Sequence, residues 1–210
     1  MISRKWILAA TMLAVSALPA FADAKTEEYV RTNANDVLAS LNAPGLTASE
    51  RRAQFQTYMD EFANLDAVAK FVIGKYAKRF SDEEMETYLA TFREYALAVY
   101  EFYFNEYRGR DVKVVGSTDR NSRDSIVDTE IVRADGQELE VRWRVLNRGG
   151  QYQVVDVALQ AEGTMIWLAI EQRAQFLSIL DKNNGSSEAL IEVIDGMTAD
   201  LVAQRPDDQS

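Results

Sequence analysis

Neither cysteine nor histidine occurs anywhere in the 210 residues. The missing histidine removes the commonest general base, the usual triad base and almost every zinc or copper ligand set. The missing cysteine excludes disulfide staples, so the domain has to be held by its own core, which a chain of this length can build. Positive charge is in deficit as well, with 23 Lys and Arg against 33 Asp and Glu. Such a surface is repelled by nucleic-acid backbones and by anionic membrane surfaces. Long apolar runs are scarce: Trp6 to Leu18 is the one such stretch, too short to span a bilayer. No nucleophile elbow, phosphate-binding glycine loop or metal-spacing motif is present.

What is there begins with an export signal. Arg4 and Lys5 precede the apolar run, and Ala20-Phe21-Ala22 gives the small-x-small cleavage pattern. Residues 1–22 are therefore expected to be a cleaved signal peptide, and no cysteine at the cleavage site marks a lipoprotein. Cleavage removes two bases and leaves a periplasmic chain of net charge about −12. The sequence predicts one α+β domain over 23–204 and a loose tail over 205–210.

Helical patterns come first: Ala24 to Asn42, a segment opened by the capping box Thr47/Glu50, and a short helix from Leu65 to Phe80 interrupted by Gly74. The stretch Ser81 to Gly109 dominates the chain. Its capping box is Ser81/Glu84, and Tyr88, Phe92, Tyr95, Val99, Phe102 and Tyr103 form one wide stripe, with Tyr100, Phe104 and Tyr107 beside it. From Asp111 the period changes to two, which predicts strands over 111–117, 125–134, 138–146 and 151–160, with Asp135-Gly136 as a hairpin turn. In the third, Val141, Trp143 and Val145 face one way; in the fourth, Val155, Val157 and Leu159 do. Helices over 164–180 and 187–203 close the domain. The expected fold is a four-stranded antiparallel meander, a curved cone-like sheet, carrying helices on its apolar side.

Catalysis has little to work with. Asp60/Glu61 and Asp82-Glu83-Glu84 supply carboxylates, but the latter are first-turn acids that the helix dipole accounts for. No catalytic residue, metal site or cofactor is expected. Binding is better served. A sheet–helix layer is usually filled by branched aliphatics, and stiff rings leave gaps where they do not interlock. The stripe of Phe92, Tyr95, Val99 and Tyr103 is expected to face Val141 and Trp143 across a cavity with an apolar occupant. Tight packing of the same residues is the competing reading.

An ordered set of residues then carries a family likeness: Asp66, Phe71-Val-Ile-Gly-Lys-Tyr76, Phe92, Val127-x-Thr129-x-Ile131, Tyr152-x-Val154-Val-Asp156-Val157, Glu162-Gly163 and Gln172-Arg173-x-x-Phe176. Over nearly the whole mature chain this resembles the MlaC family of periplasmic phospholipid-binding proteins, also called toluene-tolerance auxiliary proteins. The sequence departs from the family pattern after Gly163, where Thr164-Met165 and a longer approach precede Arg173. The resemblance implies a monomeric soluble carrier of glycerophospholipid between outer and inner membranes, maintaining outer-membrane lipid asymmetry. Its implied partners are an outer-membrane lipoprotein complex and an inner-membrane ABC transporter with its substrate-binding ring. The cavity is expected to be lined also by Phe71, Val72, Tyr76, Val127, Ile131, Ile166 and Phe176, with Arg173 at a rim that meets the head group or in an ion pair with Glu171. The alternatives are a periplasmic enzyme or polar-ligand module on a similar NTF2-like cone, and an interaction domain with a filled core.

Overall fold

Two reciprocal capping boxes start the helices that the sequence marks. Thr47 and Glu50 exchange hydrogen bonds at the head of the second helix. The Ser81 N–H donates to Glu84 at 2.7 Å while the Ser81 hydroxyl accepts the Glu84 N–H at 3.2 Å. The computed structural model describes residues 24–41, 43–105, 111–132, 136, 138–161 and 163–204. The expected leader and tail, the Gly109 helix cap and the side chains of Tyr103, Phe104 and Tyr107 lie outside the described residues, as does Asp135 of the expected hairpin turn.

Helices α1 (Ala24–Leu41), α2 (Ala48–Phe62), α3 (Leu65–Ile73), continued by a tight 3-10 turn (Gly74–Lys78), and α4 (Asp82–Asn105) precede the sheet. Strands β1 (Val112–Asn121), β2 (Asp124–Val132), β3 (Glu138–Arg148), β4 (Gln151–Ala161) and β5 (Thr164–Trp167) follow, each antiparallel to the next. Helices α5 (Leu168–Lys182) and α6 (Ser187–Ala203) end the described chain.

The α+β meander therefore has five strands, one more than expected. Thr164 to Trp167, expected to be the first turn of a helix, instead pairs with β4 from Ala158↔Trp167 to Ala161↔Thr164. Gly163, at φ +80°, turns the chain straight back onto its own strand, and the backbone groups of these four residues find partners there. Helix α5 starts only at Leu168.

One sheet face is apolar and sealed. Val127, Ile131, Val141, Trp143, Val145, Val154, Val157 and Leu159 are all buried on it. Trp143 meets Phe62 of α2 with ring centroids 5.3 Å apart, and Tyr29 of α1 meets Tyr152 at 5.6 Å. The Trp143 indole N–H donates to the Thr129 hydroxyl at 2.8 Å, and that hydroxyl donates to the Val141 carbonyl at 3.0 Å. The indole N–H is thus satisfied internally, which lets the ring be enclosed.

Candidate functional site

The site grows from an irregularity in β4. Arg144 of β3 pairs with Asp156, but the next residue, Val145, pairs with Val154. Val155 is the extra residue of a β-bulge, so the inward set on β4 is Val154, Val157 and Leu159, with Val155 displaced from it. The expected alternation placed Val155 in that set; the two-against-one pairing overrides it. Because β5 covers β4 only from Ala158 onward, residues 154–156 form an open edge. The α2–α3 link fills part of that edge: Ala63 bridges to Val154, and the Asn64 N–H donates to the Val154 carbonyl at 3.1 Å.

The bulge turns Asp156 toward α5. Its carboxylate accepts the N–H groups of Ala169 and Val157, both at 2.9 Å. Trp167, in the N-cap position of α5, contributes no side-chain cap, so Asp156 caps that helix from the neighbouring strand. Burial pushes the Asp156 pKa up, against the opposing pull of those two N–H donors and of Arg144. Burial likewise raises the Tyr100 hydroxyl pKa, with the nearby Asp156 charge adding to the effect.

Around this edge runs a narrow apolar seam. Its waist is a cavity of about 20 Å³ between Phe92, Ala96, Val99 and Tyr100 of α4, Val154 to Asp156 of β4, Leu168, Ala169 and Gln172 of α5, and Leu65 and Val68 of α3. That holds about one water molecule. A groove of about 320 Å³ shares Val99, Leu168 and Gln172 with the waist and is completed by Tyr95, Met197 and Leu201. A second groove, about 240 Å³, shares Val68, Val155 and Asp156 and is completed by Phe71, Arg144, Leu146 and Arg148. The three spaces adjoin one another, sharing those residues as walls.

Of the residues expected to line a cavity, the structure brings Phe71, Phe92, Tyr95, Val99 and Val155 to this seam. Val127, Ile131, Val141, Trp143, Val145, Val157 and Leu159 lie on the sealed sheet face, and Val72, Tyr76 and Phe176 are buried among the helices. Ile166 is exposed on β5. Phe92 and Tyr95 meet Phe176 of α5, with centroids 6.3 and 6.1 Å apart, while Trp143 meets Phe62. The ring stripe therefore interlocks with α5, where the sequence reading had it face Val141 and Trp143. Tyr76 donates its hydroxyl to Asp181 at 2.6 Å.

Arg173 is held at its own post. Its guanidinium donates to the Phe71 carbonyl at the end of α3, lies 4.9 Å from the centre of the Phe71 ring, and presses against Gly74. Glu171 is engaged by Gln175 at 3.3 Å. The sequence reading missed Ala96, Leu168 and Gln172 at the waist. Leu168 and Gln172 sit four apart on one face of α5, a spacing visible only once the helix start is known.

Among the described residues, no helix is long and apolar enough to cross a membrane, and no group of three or more acidic side chains could hold a metal ion.

A helix-flanked antiparallel meander with a seam along its bulged edge defines an α+β protein of a known architecture. The phospholipid-binding protein from Ralstonia solanacearum, solved in complex with a phospholipid, has a similar one: TM-score 0.72 and 18% identity, covering 84% of this chain and 98% of that one. Residues 31–195 match the MlaC protein family, and the chain belongs to that family. No curated protein sequence matches.

Proposed function

We propose that this protein binds glycerophospholipid and carries it through the periplasm between the outer and inner membranes, keeping the outer membrane's lipid asymmetry. The observation that carries the reading is the seam: two open grooves that adjoin a narrow cavity lined by α4, α5 and β4. Membership of the MlaC family and the architecture shared with a protein solved around a phospholipid support it. Carriage needs burial of acyl chains and no covalent chemistry. Each buried methylene contributes about 0.8 kcal/mol, so ordinary acyl chains supply ample affinity. A waist of about 20 Å³ does not admit a chain as it stands. Loading on this reading moves α5 away from β4, and unloading lets it return.

Transfer in this pathway takes place at an outer-membrane lipoprotein complex and at an inner-membrane ABC transporter with its substrate-binding ring. Export by the leader over 1–22 puts the chain in that compartment. The test is native mass spectrometry of protein prepared gently from the periplasm, with solvent extraction of the same sample. Glycerophospholipid near one per chain is the expected result. Bare polypeptide mass in every preparation would overturn the reading.

A further inference from the structure

The two ends of the seam differ in charge. The groove completed by Met197 and Leu201 is bordered by Glu171 and Asp200 and, among the described residues, by no base. The groove completed by Phe71 and Leu146 is bordered by Arg144 and Arg148, and its one acid, Asp156, is occupied with the N–H groups of Ala169 and Val157. Arg144 is held in place, donating to both oxygens of Asp124 at 3.1 and 2.9 Å. Arg120 donates to the same carboxylate at 3.1 Å, so two guanidinium groups share one negative charge. Arg148 is exposed, and its guanidinium has no partner among the described residues. It also borders the adjoining hollow with Arg123, Asp124 and Asn147. The nearby Asp119 accepts the Ser125 hydroxyl at 2.6 Å. On a chain of net charge −10, this is a local excess of positive charge beside an apolar floor of Val68, Phe71, Leu146 and Val155.

We infer that this groove is the end of the seam that takes a phosphate diester, with Arg148 as the group that meets it. The acyl chains then run through the waist toward Met197 and Leu201, and the acids at that far end repel a phosphate entering the wrong way. Arg144 supports the site by its field while fixed to Asp124. Arg173, expected at the rim, donates one N–H to the carbonyl of Phe71, a residue that lines this groove. A guanidinium matches a phosphate diester with two parallel donors, which a lysine does not. The inference rests on the phospholipid reading and adds to it which end holds the head group and which residue recognises it.

The experiment compares binding of phosphatidylglycerol with that of diacylglycerol bearing the same acyl chains. Wild type is expected to favour the phospholipid by about tenfold, the size of one charge-assisted hydrogen bond. Arg148→Glu is expected to bring the two ligands to near parity with diacylglycerol affinity unchanged, and circular dichroism checks its fold. Lys182→Glu, a charge reversal in the last turn of α5 and outside the seam, is expected to leave the preference intact. Full preference in Arg148→Glu, or its loss in Lys182→Glu alone, would overturn the assignment. Inorganic phosphate at millimolar concentration is expected not to compete; if it erases the preference, the site belongs to free phosphate. Failure of wild type to bind either lipid would instead overturn the phospholipid reading itself.

Discussion

Asp156 on β4 caps α5 from across the seam, its carboxylate accepting the Ala169 N–H at 2.9 Å in the place of a cap that Trp167 does not provide. One side chain thus fixes the distance between the sheet edge and the helix that covers it. Asp156→Ala removes the cap and leaves helix-end N–H groups buried without an acceptor, a loss of about 1–2 kcal/mol. Faster amide exchange at Ala169 and Ile170, together with a lower Tm, is the expected signature.

The same carboxylate sets a pH dependence. Burial raises its folded pKa above the unfolded value, so the folded state holds the proton more tightly. The associated stability is complete below the unfolded pKa and is lost as pH rises through the folded one. Asp156→Asn has no such titration. The Tm of wild type relative to Asp156→Asn is expected to rise as pH is lowered through that window; a constant difference across it would contradict the assignment.

Asp181 behaves in the opposite sense. Hydrogen bonds from Lys75 and then Tyr76 hold its pKa below the ordinary value. Its contribution is present above the unfolded pKa and disappears as pH falls through the depressed folded one. Thermal melts of Asp181→Asn should lie below wild type near neutrality and converge with it in acid. Tyr76→Phe should reproduce part of the difference.

Gly74 closes α3 at φ +52°, ψ −116°, and a Cβ there would stand 2.6 Å from the Arg173 guanidinium. Gly74→Ala combines a backbone conformation closed to L side chains with a steric clash, a loss of about 1–3 kcal/mol. Adding Arg173→Ala relieves the clash and leaves the backbone strain. Urea midpoints of the single and double variants are expected to recover only in part.

Ala96 lines the waist and is nearly fully buried. Ala96→Leu overfills that space at a cost of about 1–3 kcal/mol. Co-purified lipid is expected to fall well below one per chain while the far-ultraviolet spectrum stays native. A folded Ala96→Leu variant that still loads fully would remove the waist from the path.

Much of this fold is readable before any coordinates. Alternation in β3 is regular because one face is sealed and the other wet, so Val141, Trp143 and Val145 declare their side at once. The two capping boxes announce α2 and α4 by local chemistry alone. The seam is less legible. The displacement of Val155 from the inward set is decided by the partner strand, and no residue in β4 records the bulge. Thr164 to Trp167 is too short for either period to speak, so pairing with β4 decides it. Arg173 seeks a backbone carbonyl, and backbone carbonyls leave no mark in a sequence.

Trp167 is both the last residue of β5 and the N-cap residue of α5, so strand and helix are joined without a loop. The helix has no slack of its own. Any swing of α5 that widens the waist pulls on the four pairs between Ala158↔Trp167 and Ala161↔Thr164, making the shortest strand the spring of the device. On the loading movement proposed above, the opening of the waist depends on how readily this sheet margin unzips, a quantity that substitutions at Thr164 or Ile166 would adjust without touching the cavity wall.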